Sequence, residues 1–230
     1  MDFPPFPGFR PQAFDFLREL AQNNDRDWFK PRKSTYEDEL LWPMQCLIED
    51  CSRRAAAQNL PLSGDPKKSV FRIYRDTRFS KDKRPYKTAC SAFFSPSGQR
   101  NDGLGGVYIH LEPDQSFLGA GFWRPEQPFV NRWRARMAED PEGFLDIARH
   151  LESRGLALSQ EDTLKRLPRG YEAYAEHGLA GFLRLKSFTV GRRIADDAMR
   201  DPGFASRVVD MMHDVHPFLE YGWQFKGASR

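Results

Sequence analysis

GVYIHLEPDQSFLGAGFW, Gly106 to Trp123, decides the fold. Two runs with a side-chain period of two flank a Pro113-Asp114 pair. That period marks a strand, and the pair suits a tight turn. An antiparallel hairpin of Gly106–Glu112 and Ser116–Trp123 is the expectation. Val107, Ile109 and Leu111 should then share one face, with Tyr108, His110 and Glu112 as a polar row on the other. Gly119 and Gly121 share a face of the second strand. Glycines in a strand mark close approach by a ligand or another backbone, so the hairpin predicts a floor with room above it.

Outward from the hairpin, Val70–Tyr74, Ala89–Ser95 and Ser187–Arg192 also carry strand signals, making about five strands. Ser97-Gly98 and Asn101-Asp102-Gly103 mark turns. The period changes to helical on both sides. Pro11 can open a helix whose stripe is Phe14, Leu17, Leu20 and Ala21, ended at Asn23-Asn24. Asp27 is the expected cap of a second helical segment through Tyr36, Leu40, Leu47 and Ile48, kinked at Pro43. Asn59 to Pro66 reads as a loop. Phe129, Trp133 and Met137 share a helical face, and Pro141 opens a helix with Phe144, Ala148 and Leu151. A short helix near Ala180–Leu185 precedes the last strand. Asp201-Pro202 caps a final helix carrying Phe204, Val208, Met211 and Val215, which then meets Pro217. Helices, consecutive strands, then helices again predict an α+β fold with a mainly antiparallel sheet, as a single domain over 1–230.

The chain's net charge is only +3, yet Phe71 to Thr88 (FRIYRDTRFSKDKRPYKT) holds seven Arg or Lys against two Asp, a local +5, leaving −2 for all other residues. The positive charge is gathered in one place, interleaved with Phe71, Tyr74, Phe79 and Tyr86. Such a segment suits an anion, because arginine grips carboxylate or phosphate bidentately. Three cysteines, Cys46, Cys51 and Cys90, argue against a disulfide framework and for reduced thiols in a cytoplasmic protein. MDFPPFPGFRP lacks the basic start and apolar run of a secretory signal, and no apolar run reaches the ~18 residues of a membrane span. No membrane partner is therefore expected.

Within the basic segment, Arg72 and Tyr74 should share a face, Arg75 and Arg78 offer forked donors, and Lys87 adds charge. Asp76 and Asp82 compete as internal partners for the arginines. A second basic cluster, Leu164–Tyr171, would present Lys165, Arg166 and Arg169 from a turn set by Pro168 and Gly170. His110 and Glu112 are the candidate catalytic pair, as a general acid and base. The same two side chains could instead be two ligands of a divalent metal, a set incomplete without a third protein group; no metal is assigned, and the cofactor is unknown. A histidine and carboxylate satisfied by local bonds are the structural alternative. His177, His213 and His216 carry no supporting pattern. No Gly-x-Ser-x-Gly elbow, phosphate loop or dinucleotide fingerprint occurs, and Gly103-Leu-Gly-Gly106 precedes a strand rather than a helix.

Several segments together resemble a family. These are Phe16-Leu17 with Asn23-Asn24 and Arg26-Asp27-Trp28-Phe29, then Arg72 to Ser80 with Pro85-Tyr86-Lys87-Thr88. His110-Leu111-Glu112-Pro113 with Phe117-Leu118-Gly119 follows, and Leu164 to Tyr171 comes last. In this order they are similar to the conserved hypothetical family DUF2461, over about Phe9 to Gly222. The resemblance implies an α+β domain and no transferable activity, substrate or cofactor.

Three functional readings remain open. In the first, Arg72, Tyr74, Arg75, Arg78, Lys87 and Tyr108 hold a small phosphorylated or carboxylated molecule, with Lys165, Arg166 and Arg169 closing one wall. If the protein is an enzyme, His110 or Glu112 moves the proton. In the second, the basic and aromatic residues bind nucleic acid. In the third, the arginines are consumed by acids of the chain in a protein-interaction or structural domain.

Overall fold

The computed structural model describes residues 3–100, 103 and 105–225; the expected turn at Asn101-Asp102 and the Leu104 position lie outside them. The polypeptide begins with α1 (Pro11–Gln22), which buries Ala13, Phe14, Phe16, Leu17 and Leu20. The next helical segment is built from α2 (Arg26–Phe29), a 3₁₀ turn at Lys30–Arg32, α3 (Lys33–Tyr36), a π turn at Glu37–Leu41 and α4 (Trp42–Ala57). Its cap is Asp25, not Asp27: the Asp25 carboxylate accepts from the Trp28 amide at 2.8 Å. Pro43 is accommodated by the π turn. The Trp42 N–H reaches back to the Glu37 carbonyl, and that widened turn makes space for a ring that cannot donate.

Four strands follow the expected antiparallel plan: β1 (Cys90–Phe94), β2 (Gly106–Leu111), β3 (Phe117–Phe122) and, later, β4 (Phe188–Arg193), paired in that order. The register sets Ser91 opposite His110 and Phe93 opposite Tyr108. Between β2 and β3, Asp114 takes φ 62° and the Gln115 amide donates to the Glu112 carbonyl. Val107, Ile109 and Leu111 are fully buried, while Tyr108, His110 and Glu112 are half-buried. The fifth expected strand, Val70–Tyr74, forms isolated bridges instead, Val70 with Ala92 and Tyr74 with Tyr86. The segment changes partner midway. Phe71 donates to Ser91, then Arg75 donates to Pro85 and Lys87 donates back to Ile73.

β3 is followed by α5 (Gln127–Glu139) and α6 (Pro141–Ser153), then α7 (Ala180–Leu183) precedes β4. α8 (Asp196–Arg200) and α9 (Phe204–Trp223) end the described chain. The Asp201 carboxylate accepts from Gly203 just before α9, and that helix runs on through Pro217.

The chain divides into two compact units. The first falls within Met1–Asp102, Val107–Leu118 and Arg193–Met212. Its core includes the stacked Phe29 and Tyr86 rings, 4.1 Å apart. Asn24 clamps that stack: its amide donates to the Tyr86 carbonyl at 3.1 Å and its oxygen accepts the Tyr86 amide at 3.0 Å. The second unit falls within Gly103–Gly106, Gly119–Arg192 and His213–Arg230. It is built around Trp133, stacked on Phe188 at 4.2 Å and ringed by Phe122, Phe144, Phe218 and Tyr221. There Gly121, at φ 120°, lies where an added Cβ would stand 2.0 Å from the Phe188 carbonyl oxygen. The glycine expected to leave room for a ligand therefore makes room for β4 backbone. Among the described residues no helix is long and apolar enough to cross a membrane.

Candidate functional site

A cavity of about 470 Å³ opens in the first unit over the polar face of β2. That volume lies in the range of small-molecule sites. Strand alternation turns Tyr108, His110 and Glu112 toward it from below, and the segment after Val70 supplies Phe71, Arg75, Arg84 and Lys87 from above. The lining thus holds three cations and one carboxylate, Glu112.

The floor is one chain of hydrogen bonds. The Tyr108 hydroxyl lies 3.0 Å from His110 Nδ1, and His110 Nε2 lies 3.0 Å from Glu112 Oε2. Thr88 Oγ1 donates to Glu112 Oε1 at 3.0 Å. Ser91 stands opposite His110 on the adjacent strand and lines the same cavity. The Phe117 ring stacks on His110 at 4.8 Å and 25°. A neutral imidazole donating from Nε2 to the carboxylate and accepting the phenolic proton at Nδ1 satisfies every member of this chain. Burial pushes the Tyr108 phenol above its ordinary range.

The cations differ in how they are partnered. Arg75 and Arg84 share the Asp82 carboxylate, at 2.5 and 2.7 Å, which holds Asp82 well below the usual carboxylate range. Arg78 grips Asp76 with both its Nε and Nη2, outside the cavity, and lowers Asp76 to about 2. Lys87 stands apart. It is half-buried, its Nζ lies 5.3 Å from the Phe71 ring centre, and the Arg100 guanidinium lies 5.2 Å from the same ring. Among the described residues no carboxylate pairs with Lys87, Arg72 or Arg100. Burial, reinforced by the charges of Arg100 and Arg72, pushes the Lys87 ammonium below its ordinary range.

Of the residues expected from sequence, Arg75, Lys87, Tyr108, His110 and Glu112 line one cavity. Arg72 is exposed beside it, close enough for its charge to act on Lys87 and Asp76. Tyr74 is half exposed and packs toward Phe29 and Tyr86 rather than the cavity. Arg78 turns outward onto Asp76. Lys165, Arg166 and Arg169 are exposed residues of the second unit, on the turn where the Tyr171 amide donates to the Pro168 carbonyl. Arg84, Thr88 and Ser91 line the cavity without having been singled out. Arg84 sits in the same basic run, but the roles of Thr88 and Ser91 depend on the β1–β2 register, which no local pattern specifies.

A second hollow of about 430 Å³, also in the first unit, is lined by Pro7–Pro11, Asp197, Arg200 and Asp201. Its cations are already neutralised, Arg10 by Glu39 and Arg200 by Asp197, and it holds no histidine or tyrosine. The chemistry therefore points to the β2 cavity. Among the described residues no three His, Cys, Asp or Glu side chains are grouped to hold a metal ion.

Residues 12–221 match a family described as conserved hypothetical protein (DUF2461). No curated protein and no solved structure matches the chain.

Proposed function

The chain belongs to the conserved hypothetical family DUF2461, and we propose that its β2 cavity binds a small molecule carrying a phosphate or carboxylate group. The observation that carries this reading is Lys87: a half-buried ammonium on the cavity wall, beside two further cations and without a described carboxylate of its own. Burying a cation without a partner is unfavourable, and an anionic group in the cavity would supply the missing charge. Arg75 and Arg84 flank the same space. Asp82 neutralises only one of their two charges, so together they offer a net positive fork. As an enzyme, the protein would act on that phosphorylated or carboxylated molecule, with the Tyr108–His110–Glu112 row as its proton-handling side.

Isothermal calorimetry with inorganic phosphate and sulfate tests the reading. Wild-type protein should bind at least one of them, and Lys87→Met should weaken that binding tenfold or more, about 1.4 kcal/mol. Equal binding by both proteins would remove Lys87 from the site and overturn the proposal. Screening metabolites by thermal shift would then identify the natural ligand, because a ligand of the native state raises its melting temperature.

One observation favours a second reading, a nucleic-acid-binding surface. Phe79 is 95% exposed with the Arg78 guanidinium 5.8 Å from its ring, an arrangement suited to stacking an unpaired base. Binding of a single-stranded oligonucleotide that falls steeply with salt and is lost in Phe79→Ala would support it.

A further inference from the structure

We propose that Tyr108 is the residue that exchanges a proton with the anion held in the cavity, with His110 as the store of that proton and Glu112 as the group that orients the imidazole. This rests on the cavity being an anion site, as proposed above.

The inference follows from which atoms are already engaged. His110 uses both ring nitrogens, Nδ1 on the Tyr108 hydroxyl and Nε2 on Glu112 Oε2, each at 3.0 Å, while Phe117 covers one face of its ring. Glu112 spends its other oxygen on Thr88. Neither residue has a donor left over for a ligand. The phenol can be freed: its proton rests on Nδ1 while the ring is neutral, but once Nδ1 carries a proton the phenol oxygen accepts from it and its own O–H is released to the cavity it lines. His110 and Glu112, the candidates that sequence reading favours, therefore act through Tyr108.

The groups around His110 set the direction of the coupling. Tyr108 faces it from β2 and Glu112 from just past the end of β2, Ser91 belongs to β1, Phe117 stacks on it from β3, and Thr88, Lys87, Arg75 and Arg84 line the cavity from the preceding segment. Glu112 favours a positive charge on the ring. The three cations oppose it, and an anion bound among them removes that opposition. Once Nδ1 is protonated it must donate to the Tyr108 oxygen, so the phenolic O–H turns away from the ring and toward the anion. Anion binding and proton uptake by His110 are then two sides of one equilibrium.

As a chemical step, the Tyr108 proton passes to a basic atom of the ligand while the His110 Nδ1 proton passes to the Tyr108 oxygen. The imidazolium becomes neutral, still donating from Nε2 to Glu112, and the ligand gains one proton. The reverse step removes a proton from the ligand. The site is thus a general acid–base device for phosphate- or carboxylate-bearing molecules.

Sulfate is the probe, since it stays fully ionised between about pH 6 and 8, where imidazoles change charge. Calorimetry in buffers of different ionisation enthalpy should show net proton uptake on sulfate binding within that window. In Tyr108→Phe, sulfate should bind severalfold more weakly and the uptake should fall, because Nδ1–H loses its acceptor; His110→Gln should abolish the uptake. Sulfate binding without proton uptake, or undiminished uptake in Tyr108→Phe, would overturn the relay while leaving the anion site standing. Absence of any sulfate or phosphate binding would overturn the anion site instead, and this coupling with it. The hydrogen-bond chain is also read without ligand, from the ¹⁵N shifts of His110. They should report the Nε2–H tautomer, and Nδ1 should move in Tyr108→Phe. An unmoved Nδ1 would refute the contact.

Discussion

The wall and the floor of the cavity obey different physics, although both are rich in charged and polar groups. In the basic segment that supplies the wall, acids and arginines two positions apart in sequence find each other, Asp76 with Arg78 and Asp82 with Arg84. These pairs need no tertiary structure and lie in solvent, where an ion pair contributes little. On the floor, Ser91, Tyr108, His110 and Glu112 meet because two strands pair in one register over a buried apolar face. Local pairing removes charge from the basic segment; sheet pairing aims groups at a common space. Among the cations that line the cavity, Lys87 is the one that no described carboxylate pairs.

The sharpest way to break the comparison is to remove what holds wall to core. Tyr86 is 5% exposed and stacks on Phe29 at 4.1 Å, so Tyr86→Ala should cost about 3 kcal/mol in urea unfolding. A cost below about 1 kcal/mol would mean that the wall is anchored elsewhere.

A smaller effect, of opposite sign, is expected at Lys87. Its folded-state pKa is depressed, with burial the leading cause, so at neutral pH the charged form opposes folding. As pH rises from that depressed value toward the unfolded value near ~10.4, the unfolded chain holds more protons and stability climbs. Lys87→Met should therefore melt higher than wild type at about pH 7 in anion-free buffer, with the gap closing toward about pH 10. A variant that melts lower would indicate a carboxylate partner for Lys87.

The smallest effect should come from Arg78→Ala, whose melting temperature should match wild type because the pair it breaks is exposed. Its signature is local. Asp76 titrates at about 2 beside Arg78, so this pair is intact above the unfolded carboxylate value near ~3.9 and is lost as pH falls through about 2. In the variant, the Asp76 carboxyl ¹³C midpoint should return toward ~3.9.

How much of this was legible in the sequence follows the same division. The β2–β3 hairpin and the inward Val107, Ile109 and Leu111 were readable because one face of that strand is wholly buried, which fixes the period of two. Val70–Tyr74 misled because it changes hydrogen-bond partner midway, and a strand signal carries no notice of that. Gly121 was rightly marked as a close approach, but only coordinates could say that the neighbour is Phe188. Asn24 read as a helix terminator; its clamp on Tyr86 spans 62 positions, beyond any local rule. The basic segment was visible as charge, whereas the separation of paired Arg78 from unpaired Lys87 required side-chain directions. Arg84, two residues beyond Asp82, was within reach of the same charge reading and was passed over.

The three thiols have a practical consequence. Cys46, Cys51 and Cys90 are all buried and free, and burial pushes Cys46 up to about 11 and Cys90 up to about 12. The reactive thiolate is thus scarce at neutral pH, and maleimides should pass the native chain by. Spectroscopic reporters can be attached at a cysteine introduced at Phe79, at the tip of the wall, against a background that already stays dark.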